Sequence, residues 1–506
     1  MCSQFEGSPS SKQLVLIEEV LREHPGVRAA RAFKHAGQDG DTVVQIVPDD
    51  EYLARVLAGN EEERKRIQTW RKTFDLMQMG KEAAAAEPGF NIAGWNSSYT
   101  RQPIPAPDMR EWVTNTVTEI ASFKPQEVLE IGCGTGLLLL RIAPQCKRYT
   151  GTDFAPAVLG KLRKQLDVMP GSWDGVTLLE RSADNFEGFA ENTFDTIVIN
   201  SVVQHFPSVS YLIKVLEGAS RVLRPGGRIF IGDIRSLPLL EAYCVSVEFY
   251  QAGDEVGLME LRERVVRRLN LQDQLVISPA FFLAFGERNV KISDVEIRVK
   301  RGRLQNELTR YRYSAVLHAR SQGHTRKAVQ WTEWSHLQHG RAEIQRVLRE
   351  KQPETFAVSG VPNARVEEDL RAMSQVFERN AQRTVGELKI QLNGKEPKGI
   401  DPELFHEDAA TAGYRVDLSW AGCQADGSYD AVFSRIVPGG QEAAAILWPE
   451  LSTAGVELSS YVNVPGRITL RQRLVRELQD YCRQQAAEVF KSCTVNLVDS
   501  FVEPES

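Results

Sequence analysis

The most constraining stretch of this 506-residue chain is the segment EVLEIGCGTG at positions 127–136. Its first half is rich in Val, Leu and Ile, which predicts a buried β-strand. Gly132, Gly134 and Gly136 follow at every second position; without a Cβ, the backbone can turn sharply and a ligand can lie against the peptide. A dinucleotide-binding loop needs its third glycine one residue later, where this chain has Leu137. The segment therefore predicts a strand-turn-helix ligand site of another kind.

Strand and helix patterns alternate from Met109 to His318, which predicts an α/β domain with a mostly parallel sheet. Two later runs of alternating residues predict an antiparallel pair at the end, giving seven strands. A helix is expected over Tyr211 to Leu223, before Pro225-Gly226-Gly227. The seven predicted strands cover 127–131, 149–153, 176–180, 194–200, 228–233, 292–300 and 311–319.

The glycine spacing and this strand count resemble class I methyltransferases, which have a Rossmann-like fold. The resemblance implies S-adenosylmethionine (SAM) as cofactor, with its amino-acid end held by Glu130 and the glycine loop. Asp153 ends the second strand, where a carboxylate can accept hydrogen bonds from both ribose hydroxyls; alternatively, it lies in a turn or caps the helix that begins at Pro156. After the third strand, Asp184 can accept from the adenine amino group while Phe186 packs on the ring, although an ordinary polar turn also fits.

The segment from Asn200 to Phe206 leaves the fourth strand at its carboxyl end, the edge where open α/β sheets bind ligands. His205 has an ordinary pKa suited to accepting a proton from an amine, but a lone histidine often has a structural role. The expected catalytic residues are Asn200, Gln204, His205 and Glu307. The expected cofactor-binding residues are Tyr99, Glu130, Gly132, Gly134, Gly136, Asp153, Phe154, Asp184, Asn185, Phe186, Asn200 and Ser201.

Longer blocks resemble the methyltransferase domains embedded in nonribosomal peptide synthetases, where the domain interrupts the small C-terminal part of an adenylation domain. They include WNSSYTRQPIPAPDMREWV (95–113), INSVVQHFPSVSYL (199–212) and KRGRLQNELTRYRY (300–313). The last block makes Glu307, Arg310 and Tyr311 candidates for the acceptor pocket, although a salt-bridged strand edge also fits. Such domains often have tyrosine in place of His205 and histidine in place of Cys244, so the identity of the substrate carries over poorly.

The flanks, IEEVLREHPGVRAARAF (17–33) and LSSYVNVP with LRQRLVRELQDYCRQQ (458–485), resemble the two parts of the interrupted adenylation subdomain. They are expected to fold together as a small α+β remnant beside a stand-alone methyltransferase that cannot itself activate an amino acid. The expected divisions are 1–50 (first part of the remnant), 51–108 (helical lead-in), 109–320 (SAM-binding core), 321–455 (accessory helical and α+β region) and 456–506 (second part of the remnant).

Three functions are compatible with this sequence. The first is a SAM-dependent methyltransferase of nonribosomal peptide biosynthesis that methylates an amino acid, aminoacyl or peptidyl group, most readily at nitrogen. Its substrate would be a small molecule or an amino acid bound to a carrier protein, and a synthetase would be its partner. The second is a cyclase in which the α-amine of SAM displaces methylthioadenosine to form an azetidine-2-carboxylic acid. The third is a catalytically inactive scaffold for a synthetase.

The bulk composition excludes several other classes. The net charge of −6, from 61 basic and 67 acidic residues, gives no reason to expect a nucleic acid partner. No apolar run approaches the roughly 20 residues that span a bilayer, and no secretory signal is visible, so a cytoplasmic protein without membrane contact is expected. The seven cysteines are scattered without metal-ligand spacing, which predicts reduced thiols and no metal site.

Overall fold

The computed structural model describes residues 11–34, 42–49, 51–53, 60–80, 87–321, 326–378, 383–394, 397–422, 424–437, 445–449, 453, 455–486 and 493–498. The chain divides into two compact units: the first contains Met1–Lys65, Asn270–Gln274 and Val464–Ser506, and the second Arg66–Leu269 and Leu275–Asn463. Within the described residues, no helix is long and apolar enough to cross a membrane.

The first unit joins both ends of the sequence in one three-stranded sheet. The order is β1-β2-β16, with β1 antiparallel and β16 parallel to β2. The elements are α1 (Ser11–Arg22), β1 (Val27–Lys34), β2 (Thr42–Pro48), α15 (Arg467–Ala486) and β16 (Cys493–Leu497). Ile17, Leu21, Val44, Ile46 and Leu478 are fully buried in its core. The two flanks thus share a single hydrophobic core.

The second unit is built on an eleven-stranded sheet in the order β11-β12-β14-β13-β8-β9-β7-β6-β3-β4-β5. Strands β3 to β7 are parallel, while β9 runs antiparallel to both β7 and β8. These strands are β3 (Glu127–Ile131), β4 (Arg148–Asp153), β5 (Val176–Glu180), β6 (Phe194–Asn200), β7 (Leu223–Arg235), β8 (Ile292–Val299) and β9 (Arg312–Ala319). This is the class I methyltransferase architecture that the sequence predicts.

Helices connect and cover these strands. They are α2 (Asn60–Met79), α3 (Ala106–Ala121), α4 (Leu139–Ile142), α5 (Pro156–Val168), α6 (Val209–Val222), α7 (Leu240–Gln251), α8 (Leu258–Asn270), α9 (Pro279–Arg288) and α10 (Glu307–Arg310). Helix α6 ends one residue earlier than expected, and β7 begins at once and runs through Pro225-Gly226-Gly227, with an irregular register against β6. The strand expected over 228–233 is therefore longer than its apolar residues indicate.

Strands β11 to β14 of the segment after β9 extend the same sheet, whereas its strands β10 and β15 pair with each other in a separate two-stranded sheet. Its strands are β10 (Arg326–Lys327), β11 (Trp331–Glu333), β12 (Thr355–Val361), β13 (Tyr414–Ser419), β14 (Tyr429–Arg435) and β15 (Ala445–Ile446). Its helices are α11 (Gly340–Arg346), followed by a π-helical turn (Val347–Lys351), then α12 (Glu367–Val376), α13 (Val385–Leu392) and α14 (Pro402–Ala412). Strand β13 meets β8 at Ser419 and Arg298. Strands β11 to β14 of the region 321–455, expected as an accessory helical and α+β region, thus continue the core sheet. The sequence from Gly340 to Leu388 predicts mostly helix, but β12 lies within it.

Strand β3 lies between β4 and β6 in the sheet. The strands β4 and β5 follow on one side of β3, and β6 and β7 follow on the other side, so the strand order reverses at β3. In open α/β sheets, the crevice at the carboxyl ends of the strands beside such a switch point is where ligands bind. Leu129, Ile197, Ile199, Ile229 and Ile231 are fully buried and fix the strands around it. The glycine loop follows β3 directly.

Candidate active site

The glycine loop depends on its three glycines for different reasons. The backbone φ is positive at all three positions, 77° at Gly132, 50° at Gly134 and 83° at Gly136. Residues other than glycine rarely adopt this conformation. A Cβ on Gly132 would lie 2.4 Å from Val202, and one on Gly136 would lie 2.6 Å from Leu162. A Cβ on Gly134 would have its nearest neighbour 3.8 Å away. Gly134 is thus the loop glycine at which a Cβ would meet its nearest neighbour, the Phe74 ring, only at ordinary van der Waals distance.

Asp153 lies at the end of β4 beside this loop and is 4% exposed. Its Oδ2 accepts the Gly134 N–H at 3.0 Å, and its Oδ1 accepts the Ala155 N–H at 2.9 Å. The second bond closes a turn before α5 and does not cap that helix, whose N-cap residue is Ala155 without a side-chain cap, and each oxygen keeps a further lone pair for a ligand. Burial raises the pKa of Asp153, although these backbone amides oppose the shift. Phe154 follows and is half-buried.

Glu130 supports the loop from within the sheet. It is 3% exposed, and its Oε2 accepts a hydrogen bond of 2.9 Å from the Tyr149 hydroxyl on β4. Burial raises the pKa of Glu130 to about 7, with Asp153 adding to the shift and Tyr149 opposing it. Its carboxyl group therefore braces β3 against β4.

The carboxyl end of β6 carries a buried polar network. Ser201 and Asp233 both have positive φ, at 58° and 62°, and the Ser201 hydroxyl donates to Asp233 at 2.8 Å. The Asn200 amide donates to Ser201 Oγ at 3.2 Å, and the Gln204 amide donates to the Ser201 carbonyl at 2.9 Å. Asn200 and Gln204 are 8% and 6% exposed. Two non-glycine residues in strained backbone at one strand edge are a frequent feature of functional sites.

His205 differs from its sequence-based expectation. Its ring stacks on Trp70 of α2, with the centroids 3.7 Å apart and the planes at 12°. Burial, together with the positive charges of Arg312 and Arg235, lowers the pKa of His205 to about 3, and Asp233 only partly opposes this. The side chain is therefore neutral at physiological pH and a much weaker base than an ordinary histidine. Sequence alone could not reveal these charges, which come from other strands.

The segment after β5 uses its polar groups within the protein. Asp184 accepts hydrogen bonds from Ser182 at 2.8 Å, Tyr211 at 3.0 Å and Lys214 at 2.6 Å. Burial acts to raise the pKa of Asp184, but the bonds from Lys214, Ser182 and Tyr211 outweigh it and lower the pKa. The carboxylate expected to bind adenine is thus already paired.

The neighbours of Asp184 also depart from expectation. Asn185 is exposed, and its Oδ1 accepts the Glu187 N–H at 3.0 Å. The Phe186 ring is buried against Gly218 of α6, where a Cβ would lie 2.4 Å from it. Phe186 belongs to the core because Gly218 offers it a flat surface, so its face toward α6 is not available to an adenine.

A second polar cluster lies on α7, α10 and α12. The Tyr99 hydroxyl and Ser246 Oγ are 2.8 Å apart, and the Tyr311 hydroxyl donates to Asp369 at 2.5 Å and lies 3.0 Å from Ser246 Oγ. Arg310 pairs with the same Asp369 oxygen at 3.3 Å. Burial raises the pKa of Tyr99 to about 12, with Asp369 adding to the shift, and burial also raises the pKa of Asp369. We call Tyr99, Ser246, Arg310, Tyr311 and Asp369 the tyrosine cluster.

Glu307 and Arg312 connect the tyrosine cluster to the β6 edge. Glu307 accepts from the Ser98 N–H at 2.8 Å and the Ser98 hydroxyl at 3.0 Å, which positions the loop that carries Tyr99. Arg312 lies 3.9 Å from Glu307 and donates to Asp233 at 2.5 Å. Glu307, expected to be catalytic, therefore positions Tyr99. Asp233 and Asp369 were missed by sequence reasoning because each acts through a contact with a distant strand or helix.

Comparisons with known proteins decide the family of this site. A model of the methyltransferase domain matches residues 129–229, which contain the glycine loop, Asp153 and the β6 edge. The chain carries a methyltransferase domain. It is 37% identical over 488 residues to chondramide synthase from Chondromyces crocatus, covering 92% of this chain and 12% of that protein. It is also 36% identical over 324 residues to a probable non-canonical nonribosomal peptide synthetase, CymA, from Salinispora arenicola, covering 63% and 4% respectively.

The methyltransferase domain is thus of the type associated with nonribosomal peptide synthetases, and the chain spans about one eighth or less of the length of these two relatives. Among solved structures, it is similar to the N-methyltransferase NodS from Bradyrhizobium japonicum, at 20% identity and a TM-score of 0.28. That match covers 42% of this chain and 98% of NodS. Magnesium protoporphyrin IX methyltransferase from Synechocystis matches at 15% identity and a TM-score of 0.31, covering 44% and 91%.

SAM is the cofactor of this methyltransferase domain, and the β6 edge and helix α2 carry groups that fit it. Asp75 Oδ1, Asn200 Oδ1 and Gln204 Oε1 are buried acceptors without a hydrogen-bond partner among the described residues. A buried acceptor left unpaired costs free energy, so these oxygens favour a ligand that brings donors. The ammonium group, the ribose hydroxyls and the adenine amino group of SAM are such donors. The arrangement therefore fits the cofactor.

Proposed function

We propose that this chain binds SAM on the Gly132–Gly136 loop and methylates the nitrogen of an amino acid, aminoacyl or peptidyl group in nonribosomal peptide biosynthesis. The observation that carries the proposal is the three-glycine loop at the switch point, beside buried acceptors that lack a partner. When bound, SAM supplies an electrophilic methyl carbon. Similarity to nonribosomal peptide synthetases supports the substrate class.

On the cofactor side, Asp153 is proposed to accept the ribose hydroxyls with the lone pairs that its backbone partners leave open. The loop amides and the β6 edge, with Asn200 and Ser201, enclose the rest of the cofactor. Glu130 acts indirectly: its hydrogen bond with Tyr149 holds β3 against β4 and so positions the glycine loop. Asp184 and Asn185 shape the part of the pocket that holds the adenine. Asp184 offers the adenine no free carboxylate, because Lys214 donates to it.

On the acceptor side, the tyrosine cluster is proposed to bind the amine. Methyl transfer requires the nucleophile to be held in line and unprotonated, and oxygen acceptors can orient an amine through its N–H groups. Asp369 is suited to this because its raised pKa makes it a better proton acceptor than an ordinary surface carboxylate. His205 is not, because its lowered pKa of about 3 makes it a weak base.

The test is to incubate the purified protein with SAM and amino acids, either free or as thioesters on a carrier protein, and to identify the nucleoside product by mass spectrometry. S-adenosylhomocysteine together with an acceptor heavier by one methylene supports the proposal. Methylthioadenosine would instead mean cyclisation of SAM, and no conversion with any acceptor would contradict methyl transfer.

A matched pair of variants on α12 separates the acceptor side from the cofactor side. Asp369→Asn should lower turnover while leaving the affinity for S-adenosylhomocysteine unchanged, because Asp369 lies in the tyrosine cluster. Glu368→Gln, the exposed neighbour on the same helix, is the control and should leave both quantities unchanged. Equal turnover in the two variants would remove Asp369 from the proposed amine site.

A further inference from the structure

Helix α2 crosses the carboxyl ends of the central strands. Trp70 stacks on His205, which follows β6, and Arg71 pairs with Glu180 at the end of β5 at 3.0 Å. Phe74 lies 3.8 Å from the position that a Cβ on Gly134 would take. The α2 residues from Trp70 to Phe74 therefore cover the ligand edge of the sheet from β6 to β5.

Asp75 follows Phe74 on this helix, and no structural role for its carboxylate is found among the described residues. Its Oδ1 is buried and lacks a hydrogen-bond partner, and its negative charge lies close enough to Asp153 to act on that carboxyl group. Throughout the part of the chain that the structure describes, no ion pair is formed by Asp75 or by Asp153. The buried carboxylate of Asp153 and the half-buried carboxylate of Asp75 repel each other without a cation, and this arrangement favours a ligand that carries positive charge.

The remaining unpaired groups at this edge point to the same kind of ligand. Asn200 and Gln204, both more than nine-tenths buried, each have an amide oxygen without a partner. Oxygens of this kind accept hydrogen bonds and cannot bind an anion. These oxygens therefore favour ligand groups that donate hydrogen bonds or carry positive charge.

We propose that Asp75 binds the α-ammonium group of the cofactor, so that α2 supplies one side of the pocket for the amino-acid end of SAM. The inference rests on the proposed function, which places that end of the cofactor on the glycine loop. Phe74 lies over Gly134 of this loop, and the charge of Asp75 acts on Asp153, whose carboxylate accepts the Gly134 N–H, so both α2 residues lie near the loop. Asp153 remains the partner of the ribose.

Ligands that differ only at the amino-acid end give a direct test by calorimetry. S-adenosylhomocysteine has the ammonium group, its deaminated analogue keeps only the carboxylate, and methylthioadenosine lacks the whole end. Asp75→Asn keeps the shape of the side chain and removes its charge. It should weaken S-adenosylhomocysteine binding about 10-fold to 100-fold, the usual worth of a charged hydrogen bond, and change the other two affinities less than about 2-fold.

The matched control is Asp167→Asn, an exposed aspartate on α5. It should bind all three ligands as the unaltered protein does, and the melting temperatures of both variants show whether they are folded. Equal weakening of all three ligands by Asp75→Asn, or no weakening of S-adenosylhomocysteine, would overturn the assignment to the ammonium group. If the unaltered protein binds none of the three, the proposed function itself fails, an outcome distinct from a failure of Asp75 alone.

Discussion

Glu130 shows how a single residue of the glycine motif couples the site to pH. Its pKa in the folded protein, about 7, lies above the ordinary value of 4.5, because burial favours the protonated form. The stability that this group contributes is fully present below pH 4.5 and is lost as the pH rises toward 7 and above. At neutral pH, Glu130 therefore lowers the free energy of unfolding, and a neutral side chain at this position would not.

Replacing Glu130 with Gln should therefore reduce the loss of stability between pH 5 and pH 8. Relative to Glu130→Gln, the unaltered protein should lose on the order of 3 kcal/mol of unfolding free energy across this range, measured by urea denaturation. Glu217→Gln, an exposed residue on α6, is the control and should follow the unaltered protein. Parallel curves for all three proteins would show that Glu130 does not titrate in this range.

His205 permits a second test at the residue scale. Because its pKa is lowered to about 3, it does not change charge between pH 6 and pH 9. His205→Phe keeps an aromatic ring for Trp70 and should leave the shape of the pH dependence of turnover unchanged in this range. A general base contributes roughly 10² to 10⁴ in rate, so a loss of that size together with a lost inflection near pH 6–7 would show that His205 is the base.

At the scale of elements, β7 and β9 are joined by a buried ion pair as well as by their antiparallel hydrogen bonds. Asp233 on β7 is fully buried and accepts from Arg312 on β9, from Ser201 and from the Trp112 indole N–H. Burial acts to raise the pKa of Asp233, but the charges of Arg312 and Lys300 outweigh it and lower the pKa. The pair keeps the carboxylate charged within the sheet and holds the Ser201 turn in place.

Removing one member of this pair leaves a buried charge without its partner. Arg312→Met should destabilise the protein by about 3–5 kcal/mol in urea denaturation. Asp233→Asn combined with Arg312→Met should cost less than the sum of the single changes, since the uncompensated charge is gone.

The control for that measurement is Arg415→Met, which removes a half-exposed arginine paired with Asp417 at 2.8 Å. Exposed pairs contribute about 0–1 kcal/mol, so this variant should change stability by less than 1 kcal/mol. An equal decrease in the free energy of unfolding for Arg312→Met and Arg415→Met would mean that the Asp233–Arg312 pair stabilises the protein no more than an exposed ion pair does.

The strand pattern was readable from sequence because buried parallel strands are short apolar runs. Val176–Glu180 and Phe194–Asn200 have the bounds that the sequence predicts, whereas β7 begins five residues before its apolar run. That extension is set by pairing with β6 across an irregular register, which no local pattern encodes. Strand β12 was missed because neighbouring helical patterns masked a seven-residue run.

At the scale of the whole molecule, the fold class was predictable from the glycine spacing together with the alternation of strands and helices, and the family from the longer blocks that resemble embedded methyltransferase domains. The polar side chains were less predictable, since their partners come from distant parts of the chain. Trp70 and Asp75 lie before the recognisable blocks, and Asp369 lies after them. Asp184 was chosen for a free carboxylate, but Lys214 and Tyr211, about 30 residues later, occupy it.

The first unit carries none of the residues named in the two polar networks, because all of them lie between Arg66 and Asn463. We therefore attribute cofactor binding to the second unit. The pairing of β2 with β16 makes the two flanks one folding unit, as the resemblance to an interrupted subdomain implies.

The central claim is that a SAM-type cofactor lies on the glycine loop, and calorimetric titration of S-adenosylhomocysteine into Gly134→Ala tests it most directly. Gly134 has positive φ but room for a Cβ, and so does Gly413 at the end of α14, so the two alanine variants carry a similar backbone cost. Gly134→Ala should remain folded and bind at least about 10-fold more weakly, which corresponds to about 1.4 kcal/mol, while Gly413→Ala binds as the unaltered protein does. Equal affinities for the two variants, or no binding to the unaltered protein, would contradict the account.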